Sequence, residues 1–253
     1  MPVSDWRRMT RLSIMSMVMY SMRLGLFALS YLAERYGTSY TGFIEYTCDR
    51  DIRDGKDTII REELNAADRY IDDLLDGKGR GVELPKYGAT YWDLEETILL
   101  RSLERLDEFY AEMFELICEF LAINGHEFDG EEIAEVVRYQ QMRMPTTKPQ
   151  SITKGDFKFN LPEYFHNLFG TDPIAVTKEH QVLSVTPRPF DGDFERFAKE
   201  AVIWGRNSDT MLLDCQWRSI ERPWIDSSQI VREDKDVEAL GLPRAANLGS
   251  RES

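Results

Sequence analysis

Cysteine and histidine are scarce in this chain of 253 residues. The six residues of these two types are Cys48, Cys118, Cys215, His126, His166 and His180. The three cysteines are an odd number and lie far apart in the sequence, so a disulfide framework is not expected. No Cys-x-x-Cys pair is present, which argues against a structural zinc site. The spacing therefore favours three reduced thiols in a cytoplasmic protein.

Complete catalytic motifs are also missing. The chain has no Gly-x-Ser-x-Gly nucleophile elbow, which argues against the common hydrolases. A glycine-rich stretch at residues 77–81 follows a predicted helix rather than a strand and lacks the Lys-Ser/Thr pair of a P-loop, so we interpret it as a connector. A general base could still be any of the 45 aspartates and glutamates. The sequence therefore leaves open whether the chain is an enzyme.

Basic residues are fewer than acidic residues in this chain. Lysine and arginine number 31 against 45 acidic residues, which gives a formal net charge of -14. A surface this acidic repels phosphate backbones, so nucleic acid is not expected as a partner.

Long apolar runs are limited to one segment near the N-terminus. Three arginines precede an apolar run over residues 12–32, an order that imitates a secretory signal or a membrane anchor. Arg23 interrupts the run, and a charge at the centre of a bilayer costs about 3 kcal/mol on insertion scales. We predict a buried core helix, with a membrane or signal segment and a partner-binding helix as alternatives.

Apolar residues at helical spacing predict a largely helical first part. The predicted helices cover residues 6–36, 39–47, 58–76, 93–123 and 129–142. A polar, turn-rich loop is predicted over residues 49–57. In the helix 93–123, the acidic residues Glu104, Glu108, Glu112, Glu115 and Glu119 are predicted to form a solvated face.

Residues 145–155 are rich in proline and threonine and form the predicted domain boundary. Beyond them, strands are predicted over residues 157–159, 180–186 and 210–217, with helices over 161–169 and 193–206. The predicted fold is mainly α, with a helical bundle-like N-terminal part and a smaller α+β C-terminal part. The domains are 1–145 (helical), 156–226 (α+β) and 227–253 (a disordered tail).

One metal-binding hypothesis comes from the sequence Glu163-Tyr-Phe-His166. The Glu-x-x-His spacing places a carboxylate and an imidazole on one helix face, as in di-iron helical bundles. Such a site needs a second copy and further glutamates, and only one copy is present. A self-contained enzyme with a carboxylate-bound metal therefore remains an alternative, with Glu163 and His166 as ligands.

Two segments of the C-terminal part resemble a known family. Residues 157–165 (Phe-Lys-Phe-Asn-Leu-Pro-Glu-Tyr-Phe) and 193–206 (Asp-Phe-Glu-Arg-Phe-Ala-Lys-Glu-Ala-Val-Ile-Trp-Gly-Arg) resemble the C-terminal region of cobalamin-binding radical S-adenosylmethionine (SAM) proteins. The opening helix, with Leu-Gly-Leu-Phe at 24–27 and Tyr-Gly at 36–37, is similar to the stretch that follows the catalytic barrel in some of them.

The resemblance does not extend to the family's cofactor motifs. The Cys-x-x-x-Cys-x-x-Cys motif that binds the iron–sulfur cluster is absent, and so is the cobalamin-binding Asp-x-His-x-x-Gly. The resemblance therefore implies that cobalamin, the iron–sulfur cluster and SAM are bound by a partner protein or by missing N-terminal domains, and that this chain alone binds none of them.

The leading hypothesis is thus an accessory or C-terminal module of a cobalamin-dependent radical SAM enzyme. It would shape the substrate site or dock on the catalytic barrel. Aromatic and basic residues are favoured anchors in interfaces, so the predicted substrate or partner contacts are Tyr164, His166, Trp204 and Arg206. A helical protein-interaction module and a membrane-associated protein are further alternatives. The chain could equally be a fragment or a whole protein.

Overall fold

The computed structural model describes residues 2–54, 58–78, 81–147, 153–168, 170, 174–205, 211–220 and 225–226. The predicted tail from residue 227, the predicted contact residue Arg206 and part of the predicted domain boundary lie outside these ranges.

Helices form most of the described chain, and several of them begin or end at the signals expected from the sequence. Thr58 caps the fourth helix by accepting a hydrogen bond from the backbone N–H of Arg61, and Asp93 and Glu96 form a capping box at the fifth. Gly37 ends the second helix in the left-handed conformation. The α-helices are α1 Val3–Ser16, α2 Leu26–Tyr36, α3 Tyr40–Asp54, α4 Ile59–Leu75, α5 Leu94–Glu104, α6 Leu106–Ile123, α7 Gly130–Arg143, α8 Leu161–His166 and α9 Phe194–Phe197.

Other helical types and the strands are short. The described chain contains π-helices at Met17–Ser21 and Ala198–Ile203 and a 3-10 turn at Pro85–Tyr87. The strands are β1 Val82–Glu83, β2 Tyr91–Trp92, β3 Lys154–Phe157, β4 Gln181–Val185, β5 Cys215–Ser219 and β6 Ile225–Asp226. They form two small antiparallel sheets with the strand orders β1-β2 and β3-β4-β5-β6.

The helices and the larger sheet share one hydrophobic core. At its centre the ring of Phe27 in α2 lies 5.0 Å from Tyr139 of α7 and 5.1 Å from Phe165 of α8. The predicted fold class is confirmed: a helical N-terminal part is followed by a smaller α+β part. Whether residues 1–145 and 156–226 would fold separately stays a prediction.

The N-terminal helix is broken, which corrects the prediction of one continuous helix. α1 passes into the first π-helix, and the chain turns at Arg23, which has a left-handed φ of 61°. The Gln140 amide holds this turn, since its Nε2 donates to the carbonyl of Arg23 (2.9 Å) and its Oε1 accepts the N–H of Phe27 (2.8 Å). The hydroxyl of Tyr110 donates to the carbonyl of Leu24 at 2.8 Å. Periodicity did not reveal the break because these partners lie on α6 and α7.

No single helix of the described chain has both the length and the apolar composition to cross a membrane. The segments Val3–Ser21 and Leu26–Tyr36 meet those criteria only when taken together, and they are bent by 93° relative to each other.

A second correction concerns the helix predicted over residues 93–123. The backbone leaves the helical conformation at Arg105, which separates α5 from α6. The guanidinium of Arg105 binds both Glu62 and Glu108, so ion pairs accompany the break. The prediction of a fully solvated acidic face is also wrong. Glu112 is buried, and its carboxylate accepts the backbone N–H of Ile60 in the first turn of α4 at 3.0 Å.

The loop predicted over residues 49–57 is helical as far as Asp54, because α3 continues past its predicted end. Arg50 anchors this extension: it is buried, and its guanidinium forms an ion pair with Glu119 of α6 at 2.8 Å. Residues 55–57 lie outside the described chain.

The strands and helices of the C-terminal part lie close to where they were predicted. β3 ends at Phe157, the residue at which the predicted strand begins. β5 begins at Cys215, near the end of the strand predicted over residues 210–217, and continues to Ser219. The helix predicted over residues 193–206 is a single α-turn, α9, followed by the second π-helix. In β4, buried and half-buried side chains alternate, as expected for a strand with one face on the core.

Glu135 of α7 joins the two parts of the chain. Its carboxylate accepts the backbone N–H of Lys158 at 2.8 Å and that of Phe159 at 3.1 Å. Burial raises the pKa of Glu135, although these two backbone bonds oppose the shift. The carboxylate thereby satisfies the backbone donors of the two residues that follow β3.

Candidate functional site

Tyr164 lies on α8 and points into the core. Its side chain is 6% exposed, and its hydroxyl donates to a carboxylate oxygen of Glu34 at 2.9 Å. Burial, followed by the bond to Glu34, raises the pKa of Tyr164 above its ordinary value. The phenol is therefore neutral at pH 7 and already has a hydrogen-bond acceptor. A partner would reach it only if α2 and α8 separated.

His166, at the end of α8, faces the larger sheet. Its ring lies 6.1 Å from the ring of Trp217 in β5, measured between centroids. Burial lowers the pKa of His166 below its ordinary value, with a further lowering from Arg143, while Glu163 opposes the shift. The imidazole is therefore neutral at pH 7, with one nitrogen able to accept a proton.

Two buried polar atoms make this side of α8 a candidate binding position. Among the described residues, neither Nδ1 of His166 nor Nε1 of Trp217 has a hydrogen-bond partner. Buried polar groups are almost always satisfied, so a polar atom of a water or a ligand is expected beside them. The half-buried Arg143 acts on His166 through its charge, and its guanidinium is engaged: its Nε donates to the carbonyl of Leu213 at 2.8 Å and its Nη1 donates to the hydroxyl of Tyr139 at 2.9 Å.

The metal-binding alternative gains no support from the position of Glu163. Its carboxylate accepts a hydrogen bond from the amide of Gln181 at 3.0 Å. No group of three His, Cys, Asp or Glu side chains in the described ranges could hold a metal ion. The glutamates of α6 that the hypothesis would need are engaged elsewhere: Glu112 binds the start of α4, and Glu119 binds α3. Within the part of the chain that the structure describes, no further ligand joins Glu163 and His166.

Among the three predicted contact residues that the structure describes, Trp204 is the exposed one. It follows the second π-helix directly and is 63% exposed, and the preceding Ile203 is 40% exposed. The side chains of Ala201 and Val202, three and two residues earlier, are completely buried and fix this end of the helix against the core. Trp204 therefore presents a large aromatic surface on a packed support, whereas Tyr164 does not.

A cavity of about 460 Å³ lies between α4 and α5. Its lining is mostly charged, and it consists of Glu62, Glu63, Asn65, Ala66, Arg69, Arg101, Glu104 and Arg105. Glu63 is buried and pairs with Arg101 at 3.3 Å, and burial raises the pKa of Glu63 in spite of that pair. A charged ligand would have to displace such ion pairs, so the cavity is a weaker candidate than the exposed tryptophan.

Sequence reasoning missed Arg143 and the buried carboxylate of Glu63. Charged side chains are mostly exposed in folded proteins, so the residue type gave no reason to single out either residue. Their partners, Leu213 and Arg101, are too far away in the sequence for local periodicity to reveal the contacts.

No protein-family model matches the chain, and no curated protein matches it significantly. The resemblance to the C-terminal region of cobalamin-binding radical SAM proteins therefore stays a prediction.

Proposed function

We propose that this chain is an accessory or C-terminal module of a cobalamin-dependent radical SAM enzyme, and that it docks on the catalytic barrel through the surface around Trp204. One observation carries the proposal: a tryptophan that is 63% exposed ends a packed π-helix within a segment that resembles that family. Tryptophan is enriched among the residues that dominate binding energy at interfaces. π-Helical turns also occur frequently at functional sites.

The cofactors of the proposed enzyme would belong to the partner. Cys48, Cys118 and Cys215 lie on α3, α6 and β5, and two of them are buried. These residues do not fit an iron–sulfur cluster, which takes its thiolate ligands from closely spaced cysteines. The chain would supply a docking surface and wall residues, with the barrel supplying the reactive centre.

Binding to a defined partner tests the proposal. The partner is a protein encoded beside this chain that carries the Cys-x-x-x-Cys-x-x-Cys motif, and its Kd for the full chain is measured by isothermal titration calorimetry. We expect a one-to-one complex that the substitution Trp204→Ala weakens about 30-fold, since a central tryptophan contributes about 2 kcal/mol or more.

Tyr91→Ala is the matched control. Tyr91 is also a large exposed aromatic residue, at 72%, but it lies on β2 and outside the resembling segments. Its substitution should leave Kd unchanged. The proposal would be contradicted if Trp204→Ala and Tyr91→Ala weakened binding equally, or if the cluster-bearing protein did not bind the chain.

A further inference from the structure

The cavity of about 460 Å³ between α4 and α5, which we call the α4–α5 cavity, has a lining in which acidic and basic side chains are balanced. The acidic residues are Glu62, Glu63 and Glu104, and the basic residues are Arg69, Arg101 and Arg105. Ligand pockets in proteins have volumes of about 300–1,000 Å³, so the α4–α5 cavity is large enough to hold a small molecule. The balance of charges favours a ligand that carries both signs.

Three of the six charged groups already have strong partners. The guanidinium of Arg105 donates to the carboxylate of Glu62 and, at 2.6 Å, to that of Glu108. The carboxylate of Glu104 forms an ion pair with Lys86 at 3.0 Å. A ligand is therefore expected to bind the other three charged groups of the lining.

Arg69 and Arg101 have donors to spare. Arg69 is exposed, and within the described chain its guanidinium has no ion pair or hydrogen bond. Arg101 makes one hydrogen bond to the described residues, from its Nη1 to the carboxylate of Glu63 at 3.3 Å. A guanidinium has five N–H donors and binds a carboxylate best through two of them. Both arginines can therefore bind the carboxylate of a ligand.

Glu63 is a buried carboxylate with a single partner. It is 6% exposed, and among the described residues its carboxylate accepts only the bond from Arg101. Burial raises the pKa of Glu63 in spite of Arg101, so this one bond does not replace the lost contact with water. An ionised carboxylate can accept about four hydrogen bonds, so Glu63 can take a second, cationic donor.

We propose that the α4–α5 cavity binds a small zwitterion of the amino-acid class, whose carboxylate binds Arg69 and Arg101 and whose ammonium group binds Glu63. This binding does not depend on the proposed docking function, because it needs only the isolated chain.

A zwitterion is favoured because it leaves neither member of the buried pair without a partner. Its insertion exchanges the ion pair between Arg101 and Glu63 for two new ion pairs. An anion alone would take Arg101 away from Glu63, and a cation alone would take Glu63 away from Arg101. Removal of one partner from a buried pair is strongly unfavourable, so ligands with a single charge are expected to bind more weakly.

Ala66 keeps the space between these groups open. It lies three residues after Glu63 and three before Arg69, so the three residues share one face of α4. A larger side chain at position 66 would project into the cavity. Among the lining residues of the described chain only Ala66 is apolar, so an amino acid with a polar side chain is the expected ligand.

Isothermal titration calorimetry of the full chain tests the proposal, with L-serine, L-glutamine and L-lysine as separate ligands. We expect at least one of them to bind. Two analogues of the tightest ligand then test the need for both charges: its amide lacks the carboxylate, and its N-acetyl derivative lacks the ammonium group. Each analogue should bind at least about 10-fold more weakly, because it leaves a charged group of the cavity without a partner.

Two substitutions in the cavity act in different ways. Arg69→Gln removes one exposed guanidinium and should weaken binding about 10-fold. Ala66→Leu fills the cavity without a change in charge and should weaken binding by at least as much. Circular dichroism checks that both variants are folded, and the exposed position of Arg69 keeps the test valid if Ala66→Leu is not.

Arg8→Gln is the matched control. Arg8 is an exposed arginine of α1 that forms ion pairs with Glu45 and Asp49 at 3.8 Å, and it does not line the cavity. Its loss changes the net charge as Arg69→Gln does, and it should leave Kd unchanged. The proposal is overturned if none of the three amino acids binds, if an analogue binds as tightly as its parent, or if Arg8→Gln and Arg69→Gln have equal effects.

Discussion

Gln140 is the residue on which the bend between α1 and α2 most depends, and replacing it by leucine tests that dependence. Its side chain is completely buried, and its amide bonds the carbonyl of Arg23 and the N–H of Phe27. Leucine has a similar volume but no polar atom, so Gln140→Leu removes the bonds that Gln140 makes to the buried N–H of Phe27 and to the part-buried carbonyl of Arg23. The bend would then have to open or admit water, or these backbone groups would lack the hydrogen bonds that Gln140 supplies.

The magnitude follows from those two backbone groups. Each buried donor or acceptor left without a partner costs about 1–3 kcal/mol, so we expect a loss of roughly 3 kcal/mol in the free energy of unfolding. Urea denaturation followed by circular dichroism measures this loss.

Gln141→Leu is the control for Gln140→Leu. Gln141 is the next residue of α7, and its amide donates to the carboxylate of Asp107 at 2.6 Å near the surface. That substitution should change the free energy of unfolding by less than about 1 kcal/mol. If the two variants are equally stable, then hydrogen bonding by Gln140 does not hold the bend.

Two further substitutions test the backbone and the buried charge. Arg23 has a left-handed φ of 61°, which disfavours residues with a Cβ, so Arg23→Gly should be about 1 kcal/mol more stable than Arg23→Ala. Both variants lack the guanidinium, so urea denaturation of the pair isolates the backbone effect, and an equal stability would contradict it. Burial raises the pKa of Glu63 above its ordinary value of 4.5, so the folded state binds this proton more tightly than the unfolded state. The stability that this proton contributes is complete below pH 4.5 and is lost as the pH rises through the raised pKa. The unfolding free energy of the wild type should therefore rise relative to that of Glu63→Gln between pH 7 and pH 4.5, and a constant difference would contradict the shift.

Helix ends were predictable where the signal is local. Thr58 at the start of α4 and Gly37 at the end of α2 act through bonds to residues within one turn, and the structure confirms both. The break at Arg105 has no proline or glycine, and the first break contains only Gly25, the N-cap of α2. The first is bonded by Gln140, 117 residues from Arg23, and the second is accompanied by an ion pair with Glu62. Periodicity within a short segment cannot reveal contacts between residues that are far apart in the sequence.

The candidate site was predicted only in part for the same reason. Trp204 was chosen from the sequence only as a residue type favoured in interfaces, and its exposure is a finding of the structure. Tyr164 is buried against Tyr31 of α2 and bonded to Glu34, and both partners are far away in the sequence. Glu112 resembled a solvated glutamate, although the structure uses it to bind the start of α4. Long-range partners, rather than residue type, decide which polar side chains are buried.

The central claim is that reactive cofactors are held by a partner and not by this chain. Quantification of iron and cobalamin in the purified chain, alone and in its complex with the cluster-bearing protein, tests this claim most directly. The account predicts that the isolated chain is colourless, contains neither and has no turnover, and that both appear only with the partner. A brown preparation of the isolated chain, with near-stoichiometric iron and turnover of its own, would contradict it.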